Sequence, residues 1–252
     1  MKRKQLHPLL RGDLNLQDKS RILAVGSHPD DLEILCAGTL AKYAASGHYV
    51  AMACVANGNV GHMYIKPPEL AKIRDAEARE AAAVIGAEFF ALDVPDLMVG
   101  HDPDLHFRMV DVIRTAKPDI IITHSPEDYM LDHVATGKLV YDCSFSASVP
   151  NWRTNVEYYP VVPAVFYMDT LAGVNFLPTE YVDISDTIDT KKKMLACHES
   201  QVSWLRDHDH IDIMDFMETM ARFRGLQCGV KYAEGFRKLE VWPRITTKRL
   251  LP

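Results

Sequence analysis

Short apolar runs and amphipathic stretches alternate along the first 145 residues of the chain. ILAVGSH (22–28) is an unbroken apolar run that closes on polar residues, the pattern of a strand buried on both faces. Apolar spacing over 34–45 predicts a helix closed by Gly47, and YVAMACVANG (49–58) predicts a second strand. The stretch 68–85 is rich in Ala, Glu and Arg, with Pro at its start and Gly86 just past its end, and predicts a helix. AEFFALDV (87–94) reads as a third strand, 102–116 as a helix stopped by Pro118, and DIIITHS (119–125) as a fourth strand. Another helix is expected over 132–145. Later the pattern loosens: 161–170 and 180–185 read as strands, 190–224 as mostly helix, and 232–243 as a closing strand-like segment.

Strand and helix alternating four times imply βαβ units and a parallel sheet with right-handed crossovers. The expected class is therefore α/β: a Rossmann-like, doubly wound, mostly parallel sheet with a C-terminal elaboration. Residues 1–20 are polar and non-periodic and are expected to form an arm, with 21–252 as a single domain. In such sheets ligands bind beyond the carboxyl ends of the strands, where strand order reverses. An order beginning 3-2-1-4 would put the ends of strands 1 and 4 on either side of that crevice.

Composition narrows the function. The chain has 252 residues, 48% hydrophobic and 25% charged, which excludes a disordered or fibrous protein. Its 28 Lys and Arg against 34 Asp and Glu give net −6, so no basic surface for nucleic acid or anionic lipid is expected. No apolar run approaches the roughly 18–20 residues that span a bilayer, and the start of the chain does not read as a signal peptide. Five widely spaced cysteines make neither a disulfide framework nor a CxxC zinc knuckle, so a cytoplasmic protein with reduced thiols is expected.

The two strand ends carry the candidate chemistry. Ser27-His28-Pro29-Asp30-Asp31-Leu32-Glu33 follows strand 1, and the segment from His124 to His133 follows strand 4. Two acids stand where a dinucleotide site would need glycines, and they would repel phosphate. Carboxylates grouped with imidazoles suggest a divalent cation instead. His28, Asp31 and His133 supply two imidazoles and one carboxylate, a catalytic zinc shell that leaves room for water. Asp30 would then be the free base beside it, and the parts suit hydrolysis of an amide or ester. The plainer account makes Asp30 or Asp31 a helix cap and each histidine a strand-end residue. A non-haem iron triad is a further rival.

At these residues the sequence resembles the PIG-L/LmbE family of zinc-dependent N-deacetylases. SHPDDLE (27–33) is similar to the family's HPDD signature, and LDHVATGKLV (131–140) to its downstream DH element. Further likeness lies in 36–48, 69–88, KKKMLACHESQ (191–201) and GVKYAEGF (229–236). The resemblance implies one Zn2+ per chain held by His28, Asp31 and His133, with Asp30 as general base. It also implies Arg74 in the pocket of a small N-acylated, N-acetylglucosamine-like substrate, and a possible homo-oligomer. One departure stands out: Met130 and Leu131 occupy the places of a family His credited with stabilising the oxyanion and of the Pro that follows it. Thioether sulfur donates no hydrogen bond. Asp132, which orients that His in the family, is expected to lose its partner. His124 is the first candidate for the missing donor and His198 the second, with His62 a candidate substrate contact. The rival for each is an ordinary structural or solvated histidine. A metal-binding regulator of the same fold, with little turnover, is the alternative function.

Overall fold

The computed structural model describes residues 19–244. β1 (Arg21–Gly26) lies at the centre, and its Ile22, Leu23, Ala24 and Val25 have no solvent exposure, as an unbroken apolar run requires. β2 (Tyr49–Ala56) pairs with it in parallel on one side and β4 (Ile120–Thr123) on the other. β3 (Glu88–Val94) continues the parallel sheet beyond β2, and β5 (Ala164–Met168) beyond β4. β7 (Ala233–Lys238) then pairs antiparallel with β5 and with β6 (Glu180–Asp183), so the order is β3-β2-β1-β4-β5-β7-β6. The expected 3-2-1-4 order and its switch point between β1 and β4 are present.

Alternate residues of the strands face two cores. Ile22 and Ala24 join Leu40, Met52 and Met194 under α1 (Asp31–Leu35), α2 (Ala37–Ala45), α3 (Pro67–Val84), α6 (Ile188–Ala196) and α8 (Ile213–Cys228). Leu23 and Val25 join Ala51, Met109 and Val140 under α4 (Leu105–Ala116) and α5 (Leu131–Ser146). The layers are therefore helix, sheet, helix. Among the described residues no helix is long and apolar enough to cross a membrane.

Three departures from the sequence pattern bear on the site. The helix expected over 34–45 starts at Asp31 and breaks at Cys36 (φ −144), which makes Asp31 the first helical residue. The 190–224 stretch is three helices: α6, α7 (Glu199–His208) and α8, the last capped by Asp212, which accepts from Met214 N and Asp215 N. Ser20 belongs to the fold rather than to an arm, since it is buried, its N–H donates to His48 Nδ1 and its carbonyl accepts from Tyr49 N. The rest of the expected arm up to residue 18, and residues 245–252, lie outside the described residues.

Two contacts fix the layers around the switch point. A Cβ on Gly137 would sit 2.5 Å from the His124 carbonyl oxygen, so α5 lies against the end of β4 only because that position is glycine. Glu234 of β7 accepts from Gly38 N (2.9 Å) and Thr39 N (2.7 Å) and pairs with Lys191 of α6, all of them buried.

Candidate metal centre

Asp31 is set by the turn that ends β1. Its Oδ2 accepts from Ser27 N (3.1 Å) and His28 N (2.6 Å), which locks the carboxylate at the strand end. α5 begins at the mouth of β4 and brings in His133, whose Nε2 lies 3.2 Å from Asp31 Oδ1. His28 Nδ1 lies 3.5 Å from Asp31 Oδ2. His28, Asp31 and His133 each offer a ligand atom, and these atoms fall within 4.8 Å of one another. The nitrogens that face away are held by further carboxylates. His28 Nε2 is 3.2 Å from Asp132 Oδ2, and His133 Nδ1 is 3.1 Å from Asp128 Oδ2. The backbone in turn fixes those acids: Leu97 N donates to Asp132 (2.7 Å) and Met130 N to Asp128 (3.0 Å).

The electrostatics follow from this crowding. Burial opposes charge on His28, yet hydrogen bonds to Asp132 and Asp31 overcome it and raise its pKa to about 10. Burial likewise opposes charge on His133, and the Asp31 and Asp128 carboxylates raise it to about 9. Burial pushes Asp31 up, but His133 and His124 pull it well below the usual carboxylate range. The protein thus gathers negative charge around two imidazoles that point inward.

Asp30 stands beside this group but faces the cleft. Its backbone lies in the left-handed region (φ 112), a strained conformation for a residue with a side chain. Burial raises its pKa to about 6, against the lowering pull of Arg74. Arg74 of α3 is buried; its Nη2 reaches Asp30 Oδ2 at 3.1 Å and also the Pro29 carbonyl, while Nη1 donates to Gly58 O (3.3 Å). Gly58 (φ 71) makes room for that guanidinium, since a Cβ there would meet it at 2.5 Å.

The other candidates divide. Met130 lines the cleft with His28, Asp30, Asp31 and Arg74. Asp132 does not lack a partner as expected: it holds His28. His124 does not line the cleft. It is fully buried under Asp31, stacked on His133 (ring centroids 3.9 Å), with Nε2 accepting from Ser27 N at 3.0 Å. Burial and the neighbouring His133 charge lower its pKa to about 4. His198 is also fully buried, 3.4 Å from Glu33 Oε2. His62 accepts from Tyr64 N and Ile65 N and packs on Trp204 (4.6 Å) beside the cleft rather than in it. The aromatic Trp152 stacks on Phe107 of α4, away from the cleft. Sequence reasoning missed Asp128 and Glu33. The one available signal for Asp128 was its place two residues before Met130, where an aspartate can cap a turn.

The donor set fits a cation on structural grounds. His133 Nε2 is buried without a hydrogen-bond partner although it faces a carboxylate, so the close approach is geometry for a shared ion rather than a hydrogen bond. Histidines braced by carboxylates are the usual support of metal ligands. If so, Asp128→Asn should weaken metal binding about 10–100-fold, measurable by competition with a chromophoric chelator. Unchanged affinity would remove Asp128 from the supporting shell.

Two histidines and one carboxylate that could hold a metal ion thus stand at the switch point of a doubly wound α/β sheet. The model of the PIG-L family, GlcNAc-PI de-N-acetylase, matches residues 23–144 of this chain. Diacetylchitobiose deacetylase of Thermococcus kodakarensis is 28% identical over 87% of this chain and 83% of its own length. 4-Oxalmesaconate hydratase of Pseudomonas putida is 25% identical over 95% of this chain and 96% of its own. Among solved structures, N,N'-diacetylchitobiose deacetylase of Pyrococcus horikoshii superposes with a TM-score of 0.78 at 26% identity, covering 92% of this chain and 88% of that one.

Proposed function

We propose that the protein is a zinc-dependent hydrolase that removes an acyl group from the nitrogen of an N-acetylglucosamine-like amino sugar or a related small amide. The observation that carries this reading is the inward-facing His28–Asp31–His133 group, braced by Asp132 and Asp128, with Asp30 beside it at the cleft. His28, Asp31 and His133 would hold the zinc ion, whose Lewis acidity would lower the pKa of water toward about 7 and draw charge from the acyl oxygen. Asp30, near pKa 6, takes the proton of the attacking water and returns it to the departing amine nitrogen. Arg74 keeps the Asp30 carboxylate aimed, and His124 packs beneath Asp31 to hold it in place. Met130 presents a thioether where the resemblance expects a donor, so the chain itself gives the acyl oxygen one hydrogen bond fewer.

The hydratase relative raises a second reading, addition of water to an unsaturated polycarboxylate. Apart from His28, Arg74 is the one cationic side chain among the described residues lining the cleft, and it is already paired with Asp30. That leaves little to hold a polyanion. A neutral amide fits better, and the enzymatic activities of the named relatives do not favour a silent regulator.

The test is release of free amine from N-acetylglucosamine and diacetylchitobiose by zinc-loaded and chelated protein. Amine release that falls at least about 100-fold on chelation and returns with zinc is expected. Zinc-replete protein that releases no amine from any N-acyl sugar or small amide sinks the proposal. Loss of alkene absorbance without amine release would transfer the site to hydration.

A further inference from the structure

The cleft in front of the metal group is about 480 Å³, and most of what lines it is apolar. Its polar side chains are His28, Asp30, Asp31 and Arg74 at the histidine–carboxylate group, with Asp96 and Gln201. Asp96 is spent on Gly58 N and Val60 N, and Gln201 Nε2 on the Gly61 carbonyl. Away from the histidine–carboxylate group the walls are Val60, Leu97, Tyr129, Leu205, Ile211 and Phe216. The Tyr129 hydroxyl is spent on the Leu171 carbonyl (3.2 Å), so what it offers the cleft is its ring. Most of the wall therefore offers apolar contact rather than hydrogen bonds.

Leu97 is the sharpest feature. Its backbone is left-handed (φ 66), a conformation that side-chain-bearing residues rarely adopt, and its side chain is 67% exposed. Nothing in the core needs a leucine there. What holds it is its own N–H, which donates to Asp132, the carboxylate that also braces His28. Strain persists where the surroundings impose it, commonly at ligand sites. Here the bond that orients a metal-facing histidine also fixes an exposed leucine at the rim. Ile211, 42% exposed, faces the same cleft from the turn between α7 and α8 and is held by its N–H to Leu205 O (2.9 Å).

Resting on the hydrolytic reading above, we propose that this cleft is an apolar subsite. The substrate then carries an alkyl or aryl group next to the scissile amide, and Leu97 and Ile211 select it. The occupant is the substrate itself, because the apolar walls and the metal group share one cleft. The apolar group can sit on either side of the amide, as a longer acyl chain or as a substituent on the amino sugar. The two are separable by experiment.

Two ligand series test it: N-acetylglucosamine as methyl and butyl glycosides, and glucosamine as N-acetyl and N-pentanoyl amides. Affinity is read by calorimetry on zinc-loaded Asp30→Asn protein, and kcat/KM on the wild type. A fully buried methylene is worth about fourfold in affinity. Three partly buried ones should give at least about tenfold in one of the series. Leu97→Ser and Ile211→Ser, both at exposed positions, should each cut that gain by more than half. Affinity that rises with chain length while no amide is hydrolysed would end the hydrolytic reading and leave the apolar subsite standing. Flat affinity in both series overturns the subsite whether or not the protein deacetylates. So does a change in sedimentation of Leu97→Ser from a larger assembly to a smaller one with selectivity unaltered, which would make the rim a contact between copies of this chain.

Discussion

Asp30→Asn is expected to reduce turnover by about 10²–10⁴-fold, the range for loss of a positioned general base, while zinc content stays near that of the wild type. The two readouts separate because Asp30 is outside the ligand group and points to Arg74 and the cleft. Asparagine suits the test. It keeps the shape of the side chain, and it is one of the few residues besides glycine that accept the left-handed backbone held at this position. Arg74 loses a countercharge but keeps the Pro29 and Gly58 carbonyls. Paired measurements of kcat and of bound metal decide the matter. Metal lost in proportion to activity would make Asp30 a ligand or a structural residue.

Glu234→Gln is expected to be the most destabilising single change outside the site, by about 3–5 kcal/mol, because it strands the buried Lys191 ammonium. The glutamate also accepts from Gly38 N and Thr39 N in the first turn of α2, and glutamine can replace only part of that arrangement. The companion test is Glu234→Gln with Lys191→Met, which removes the stranded charge and should recover more than half of the loss. Denaturant midpoints of the two variants measure it. If the double variant is no better than the single, the damage lies in the α2 contacts rather than in the ion pair.

Much of the architecture was legible because β1, β2 and β4 are continuous apolar runs and the helices between the first four strands carry clear starts and stops. The strand order then followed from topology, and with it the meeting of His28, Asp31 and His133. The C-terminal half was less legible. Three helices separated by short turns at 197–198 and 209–212 share one amphipathic pattern, so 190–224 looked like a single stretch. Roles that depend on which way a ring faces were also hidden. His124 ends the same strand that leads to His133, yet one residue past Thr123 puts it under Asp31 instead of in the cleft. Asp128 braces His133 from five residues away through a loop, and no periodic spacing announces that. Asp132 found its partner across the sheet, in His28, rather than along its own helix.

The left-handed backbone at Asp30 has a consequence for how the protein can be improved. A non-glycine residue in that region stores about 1–3 kcal/mol of unfavourable conformation, placed at the residue assigned the proton. Glycine would relax the turn, so a search for thermal tolerance would favour a replacement that removes the proposed base. If Asp30 is the proposed base, heat resistance and catalysis pull against each other at this position. Gains in robustness have to come from elsewhere in the chain, with the turn between β1 and α1 left as it is.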